Sequence, residues 1–195
     1  VVEAMPDVIV LAGPNGAGKS TASEKLLQES FKVSEFVNAD VIARGLSAFH
    51  PEGVAVAAGR IMLTRLRELA SDRKDFAFET TLASRSFAPW LNRLIETGYS
   101  LKLFFFWLPS AEMAVRRVAQ RVSTGGHSVP EDAIRRRYER GLDNLFSEYM
   151  PLADNWFVCN GSANDAAEIA RGGRGKKTLV SDLNGWNQVV RGRST

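Results

Sequence analysis

Eight consecutive residues, Gly13-Pro14-Asn15-Gly16-Ala17-Gly18-Lys19-Ser20, have the types and spacing to hold phosphate. Three glycines and no bulky side chain let successive backbone N–H groups turn inward around phosphate oxygens. A helix opening at the end of this loop adds its positive end. Lys19 has the reach to meet β- and γ-phosphates, and the Ser20 hydroxyl can ligate Mg²⁺. The expected nucleotide-binding residues are therefore Gly13, Asn15, Gly16, Ala17, Gly18, Lys19, Ser20 and Thr21, with ATP and Mg²⁺ as the expected cofactors.

Three other constellations follow. Asn38-Ala39-Asp40 comes straight after a short apolar segment. A carboxylate beyond the end of a strand can engage a substrate hydroxyl and take its proton. Asp40 can equally N-cap a helix that starts at Val41. Glu79-Thr80-Thr81-Leu82-Ala83-Ser84-Arg85 gathers an acid, three hydroxyls and an arginine at another strand end. Glu79, Thr80, Thr81 and Arg85 are expected to contact the substrate, with Glu79 also a candidate for the magnesium water shell. The alternative is a polar turn from strand to helix.

The third constellation is an arginine cluster at positions 116, 117, 121, 135, 136, 137 and 140. Two predicted helices carry it, joined through Gly125 and Gly126. This suits a lid that closes over phosphates and excludes water. Guanidinium stays charged and pairs bidentately with phosphate oxygens. Arg121, Arg136 and Arg137 are the expected catalytic arginines, beside Lys19 and Asp40. A solvated charged face is the other reading of the same residues.

His50, before Pro51, reads as a structural or exposed loop residue. His127 sits in the lid hinge, where it can bond phosphate or cap the turn. No His, Cys and carboxylate spacing suggests zinc. The single cysteine, Cys159, lies in an apolar stretch, reads as a buried strand thiol and cannot form an internal disulfide.

The elements that must position these residues follow from periodicity. Residues 7–12, 35–38, 76–78, 101–108 and 156–159 read as strands, the last of them closing the core. Residues 21–28, 87–97, 111–122 and 130–146 read as helices. Apolar residues at 54, 57, 58, 61, 62, 66 and 69 add a helix with one buried stripe. A short strand and helix are expected within 178–190. Strands that are apolar throughout, alternating with helices, predict an α/β fold with a parallel sheet covered on both faces. The expected fold is thus a three-layer P-loop NTPase, kinase-like, forming one domain over 1–195 with a helical lid near 110–148.

Composition is consistent with this. Apolar residues make up 45% and charged residues 24% of 195. No segment reaches the ~20 apolar residues of a membrane span, and a cytoplasmic protein with no membrane partner is expected. A net charge of +3 suits an anionic substrate. It is weak support for nucleic acid, whose only local signal is the Gly-, Arg- and Lys-rich stretch 171–177 without interleaved aromatics.

Four strings in order, GPNGAGKST, NADVIARGLS, FAFETTLASR and RVSTGGHSVPEDAIRRRYERGLDNL, resemble the zeta-toxin family of P-loop kinases, and most of all its small bacterial branch of predicted ABC-type ATPases. The resemblance runs over about residues 8–161. The loop is also similar to that of ABC-transporter ATPases, but neither an LSGGQ-like segment nor a strand ending in Asp-Glu accompanies it. The zeta-toxin resemblance implies an ATP-dependent kinase with an adenylate-kinase-like lid. Its characterised members phosphorylate the 3′-hydroxyl of the amino sugar in UDP-N-acetylglucosamine. The family's loop lysine and hydroxyl residue fall on Lys19 and Ser20, its catalytic aspartate on Asp40, and its substrate-loop glutamate on Glu79. Thr80 stands where the family pattern has glycine. The lid arginines fall near Arg121 and Arg135 to Arg137. A nucleotide-sugar acceptor and an antitoxin partner are implied by the resemblance alone. Two other readings are a kinase for another hydroxylated metabolite or nucleoside, and a nucleotide-dependent switch or nucleic-acid-binding ATPase.

Overall fold

A computed structural model describes residues 5–126, 128–162 and 166–193. The expectation for His127 lies outside the described residues. The first strand, β1 (Asp7–Ala12), is buried from Val8 onward. It pairs in parallel with β3 (Phe76–Thr80) on one side and β4 (Ser100–Trp107) on the other. β2 (Glu35–Val37) pairs in parallel with β3, and β5 (Asn155–Asn160) with β4.

The sheet then departs from the all-parallel expectation. β6 (Glu168–Gly173) and β7 (Lys176–Val180) add to the β5 edge antiparallel, giving the order β2-β3-β1-β4-β5-β6-β7. The short strand expected within 178–190 is β7, whereas β6 had no counterpart among the expected strands. The basic stretch 171–177 is largely the β6–β7 hairpin, turned at Gly175 with φ +69°. Its local composition hid it: a strand with one exposed face and glycines at its end carries little apolar signal.

Side chains alternate across the sheet. Leu101, Leu103, Phe105 and Trp107 of β4 face one core, with Val8, Val10, Phe76 and Phe78. Phe104 and Phe106 face the other, with Ile9, Leu11 and Ala77. Each fully buried side chain of this kind contributes roughly 1.5–3 kcal/mol. The first face is covered by α3 (Ala55–Ser71), α4 (Phe87–Glu96) and α7 (Leu183–Arg191), through Leu66, Leu69, Leu91 and Val189. α1 (Lys19–Glu24), continued as a wider π turn over Lys25–Phe31, covers the second with α5 (Ala111–Ser123), through Leu27, Ala114 and Val118.

α6 (Glu131–Asn144) reaches both cores, with Ile134 in one and Leu142 in the other, then continues as a π turn over Leu145–Tyr149. α2 (Ala39–Leu46) buries only Ala43. Among the described residues, no helix is long and apolar enough to cross a membrane.

Candidate active site

Parallel register brings the carboxyl ends of three strands to one edge. Ala12 lies opposite Thr80, Leu11 opposite Glu79, and Val37 opposite Phe78. The chain leaves β1 through Gly13, whose φ is +139°. A Cβ there would stand 2.4 Å from the Phe106 carbonyl oxygen, so only glycine fits between loop and β4. At Gly16, with φ +80°, a Cβ would meet the Arg117 side chain at 3.0 Å, so α5 packs directly on the loop. The Ala17 N–H donates to the Pro14 carbonyl and closes the turn.

Lys19 folds back into this loop. Its Nζ donates to the carbonyls of Gly13 at 2.9 Å and Pro14 at 3.0 Å, and it lies 3.5 Å from Glu79 Oε1. Burial pushes the Lys19 ammonium below the ordinary 10.5, and the charges of Glu79 and Asp40 pull it back. Glu79 also accepts from Ser20 Oγ at 2.7 Å and from Asn38 Nδ2 at 2.8 Å. One carboxylate thus ties the loop to the ends of β2 and β3.

Asn38, not Asp40, caps α2. Its Oδ1 accepts from the N–H groups of Asp40 and Val41, and the helix begins at Ala39. The capping reading of Asp40 is corrected accordingly. Its side chain stands exposed in the first helical turn and faces the cleft.

Two cavities meet at this edge. One, ≈ 380 Å³, is bounded by Gly16 and Gly18 of the loop, by Ser20 and Thr21 of α1 and by Arg117 and Arg121 of α5. The other, ≈ 400 Å³, is bounded by Thr80, Thr81, Phe87 and Arg137, and by Arg60 and Leu63 of α3. They share one wall of Asn15, Lys19, Asp40 and Glu79. The first has the amides and cations of a phosphate site. The second mixes apolar side chains with two arginines, which suits a polar molecule carrying negative charge. The Ser20 hydroxyl beside the Glu79 carboxylate is a hard-oxygen donor pair of the kind Mg²⁺ selects, so the chain's residues fit that ion. Among the described residues, no group of three or more His, Cys, Asp or Glu forms a further metal site.

Most expected site residues converge here, but not all. Ala17 is buried in the core below the loop and Gly13 packs on β4. Arg85 lies outside both cavities: its Nε donates to Asn144 Oδ1 at 3.0 Å and lies 3.4 Å from Glu148. Asn144 Nδ2 in turn donates to the carbonyl of Leu82, whose backbone is left-handed with φ +57°. Arg85 thus braces the strained loop after β3 from behind. Arg136 is exposed and pairs with Asp132 one turn earlier, so it too is absent from both linings. Arg135 bonds Glu112 and Glu131, the solvated-face outcome. Arg121 lines the loop-side cavity, whereas Arg137 lines the other one. His50 is exposed, and Cys159 is buried with its pKa pushed up to about 12 by that burial.

The sequence left Arg60 unmarked, and it marked Asn38 without its capping role or its bond to Glu79. Arg60 is on the solvent-side flank of the buried α3 stripe, where no motif marks it. Asn38 could have been found as the better capping residue two positions before Asp40.

Comparison with known proteins agrees with this architecture. A crystal structure of the AvrRxo1-ORF1:-ORF2 complex with ATP superposes with a TM-score of 0.77 at 16% identity, covering 99% of this chain and 66% of that chain. The chain therefore spans just under two thirds of the AvrRxo1 chain it matches. The PezAT chromosomal toxin-antitoxin system of Streptococcus pneumoniae gives a TM-score of 0.65 at 16% identity, covering 86% of this chain and 71% of that one. A gluconokinase from Sinorhizobium meliloti 1021 gives 0.52 at 16% identity, covering 82% and 84%. At such identities these likenesses speak for the fold: mixed α/β, mostly parallel, of the P-loop kinase-like kind. The family model described as AAA domain matches residues 8–144, well over half of the chain, and the protein belongs to that family.

Proposed function

We propose that this protein is an ATP- and Mg²⁺-dependent phosphotransferase of the zeta-toxin type, acting on a sugar hydroxyl of a nucleotide sugar such as UDP-N-acetylglucosamine. The observation that carries this is the pair of cavities with one common wall. Phosphoryl transfer needs a donor and an acceptor that meet in line, with little covalent work left to the protein. The loop side takes the nucleotide phosphates through its backbone amides and Lys19. The acceptor takes the other side, its hydroxyl directed at the shared wall.

The acceptor oxygen attacks phosphorus, and its proton passes to Asp40. Ser20 and Glu79 are the residues that would hold Mg²⁺, which when bound screens the charge on the phosphates. Arg121 from the lid side and Arg137 from the acceptor side neutralise charge spread over the transferring group. The chain acts as one domain over 1–195, with the lid near 110–148 closing by its Gly125-Gly126 joint.

A charged acceptor is favoured over a neutral polyol by Arg60 and Arg137, two guanidiniums in the acceptor lining. Both the nucleotide-sugar reading and the broader reading of a kinase for another anionic hydroxy metabolite draw on this. An antitoxin-like protein partner belongs to the proposal through the zeta-toxin resemblance, and a cytoplasmic location through the lack of a membrane-span pattern in the sequence.

The test is incubation with Mg-ATP and UDP-N-acetylglucosamine, with Asp40→Asn alongside, read by mass spectrometry. The expected result is a product heavier by one phosphoryl group from the wild type and none from the variant. Bound ATP with no such product would reject this acceptor.

A further inference from the structure

Asn15 is 7% exposed, and its Oδ1 is buried with no hydrogen-bond partner. Buried polar atoms are nearly always satisfied, so this unspent oxygen calls for a reason. The loop does not use it. The turn is closed by backbone groups of Ala17 and Pro14, and Lys19 is held by carbonyls of Gly13 and Pro14. Nor does Glu79 use it, since that carboxylate engages Lys19, Ser20 and Asn38. Asn15 also lines both cavities, a place it shares only with Lys19, Asp40 and Glu79 among the described residues. Of these four, Lys19 is a cation and Asp40 and Glu79 are carboxylates. Asn15 supplies the one neutral group there that can donate to an anion without carrying charge.

We propose that the Asn15 side-chain amide is a catalytic residue that donates a hydrogen bond to a non-bridging oxygen of the terminal phosphoryl group, at the crossing between donor and acceptor cavities. This rests on the phosphotransferase reading above. The two ends of an amide have the same shape, and a half-turn about its last side-chain bond presents NH₂ where Oδ1 now stands. In the step it serves, the acceptor oxygen forms a bond to phosphorus. The bond from phosphorus to the β-phosphate oxygen breaks, ADP leaves with the electron pair, and the acceptor proton goes to Asp40. Asn15 gains and loses nothing. It holds the phosphoryl group in place while negative charge shifts across it.

The chemistry predicts selectivity between two nucleotides that differ only in the terminal phosphate. ADP is held by backbone amides and Lys19, so Asn15 does not touch it. The non-hydrolysable β,γ-imido analogue of ATP carries the group that Asn15 meets. Calorimetric titration of the full chain with each nucleotide, in Mg²⁺, should be repeated on Asn15→Asp and Asn15→Leu. Asp keeps the shape but replaces the donor by a negative charge. Leu keeps the bulk and removes all hydrogen bonding.

For ADP, affinity should stay within about twofold of wild type in Asn15→Leu, the variant that decides the test, on the premise that backbone amides carry that binding, whereas the new carboxylate of Asn15→Asp repels either nucleotide. For the imido analogue it should fall about tenfold in Asn15→Leu and more in Asn15→Asp, the scale of a lost hydrogen bond to a charged group. A general disturbance of the loop would weaken both nucleotides alike in Asn15→Leu, and that outcome overturns the proposal. So does no change in either. Wild-type protein that binds neither nucleotide would sink the phosphotransferase reading itself, a result distinct from equal losses in the variants.

Discussion

Ser20 Oγ donates to Glu79 Oε2 at 2.7 Å, although 59 positions separate them in the chain. The bond joins the start of α1 to the end of β3. It exists because β1 and β3 pair in parallel and in register, so both chains leave the sheet at the same edge. The same carboxylate meets Lys19, which is 5% exposed. The first consequence concerns charge. Glu79→Gln keeps the shape but takes from the Lys19 ammonium its nearest counter-ion, leaving only the more distant charge of Asp40. Breaking a buried pair from one side costs about 3–5 kcal/mol. The two carbonyls that already hold Lys19 reduce this, so a loss of ~2–3 kcal/mol is expected in urea unfolding. An unchanged midpoint would mean the pair contributes nothing to stability.

Gly141 lies inside α6, where alanine would ordinarily gain about 0.5–1 kcal/mol. Here the sign should invert. A Cβ at this position would stand 2.4 Å from the Thr81 carbonyl oxygen, in the loop that lines the cavity proposed for the acceptor. Gly141→Ala is expected to lose roughly 1–3 kcal/mol through overpacking and to raise the acceptor KM. Gly59→Ala is the control: nothing lies within 4 Å of its Cβ, and a gain is expected. Thermal unfolding of both variants checks the contrast.

Arg136 and Arg137 are neighbours in sequence with opposite placement. Arg137 lines the cavity proposed for the acceptor, while Arg136 pairs with Asp132 at 3.4 Å on the exposed side of α6. Arg137→Ala should lower single-turnover transfer by ~10²-fold or more, on the scale of arginines that stabilise phosphoryl transfer. Arg136→Ala should leave it within about twofold, because an exposed i,i+4 pair contributes only a few tenths of a kcal/mol. Equal effects at both positions would contradict this division.

Alkaline pH should reveal two phenols, one buried and one half-buried. Tyr149 is 1% exposed and donates to the Ser84 carbonyl, and Tyr138 donates to the Leu108 carbonyl. Burial pushes both pKa values up to about 12 from 10.0. The folded state keeps protons that the unfolded chain releases, so stability from these groups is complete below pH 10. It declines as pH rises from 10 towards 12. Lys19, whose pKa is lowered, works in the opposite direction below 10.5. Tyr149→Phe isolates one phenol. Its unfolding free energy should fall less steeply than that of wild type across this window.

What the sequence by itself determined is local. Gly13 to Ser20 must form a phosphate-type loop, because glycine conformations, small side chains and one lysine at fixed spacing leave few other uses. The apolar runs at β1 and β4 must be buried on both faces, which implies helices on each side and hence the α/β class. Asp40 and Glu79 were legible as carboxylates at strand ends. Tertiary structure decided everything that depends on direction and pairing. It turned Arg137 into the cleft and Arg136 out of it, a matter of about 100° of helix rotation that an arginine run does not encode. It brought Arg60 to the cavity that Arg137 also lines by packing the α3 stripe of Met62, Leu66 and Leu69 on the sheet. It sent Arg85 behind the loop, where Asn144 and Glu148 hold it. It also made a hairpin of the glycine- and arginine-rich stretch near 171–177, since an edge strand draws its order from the neighbour it pairs with.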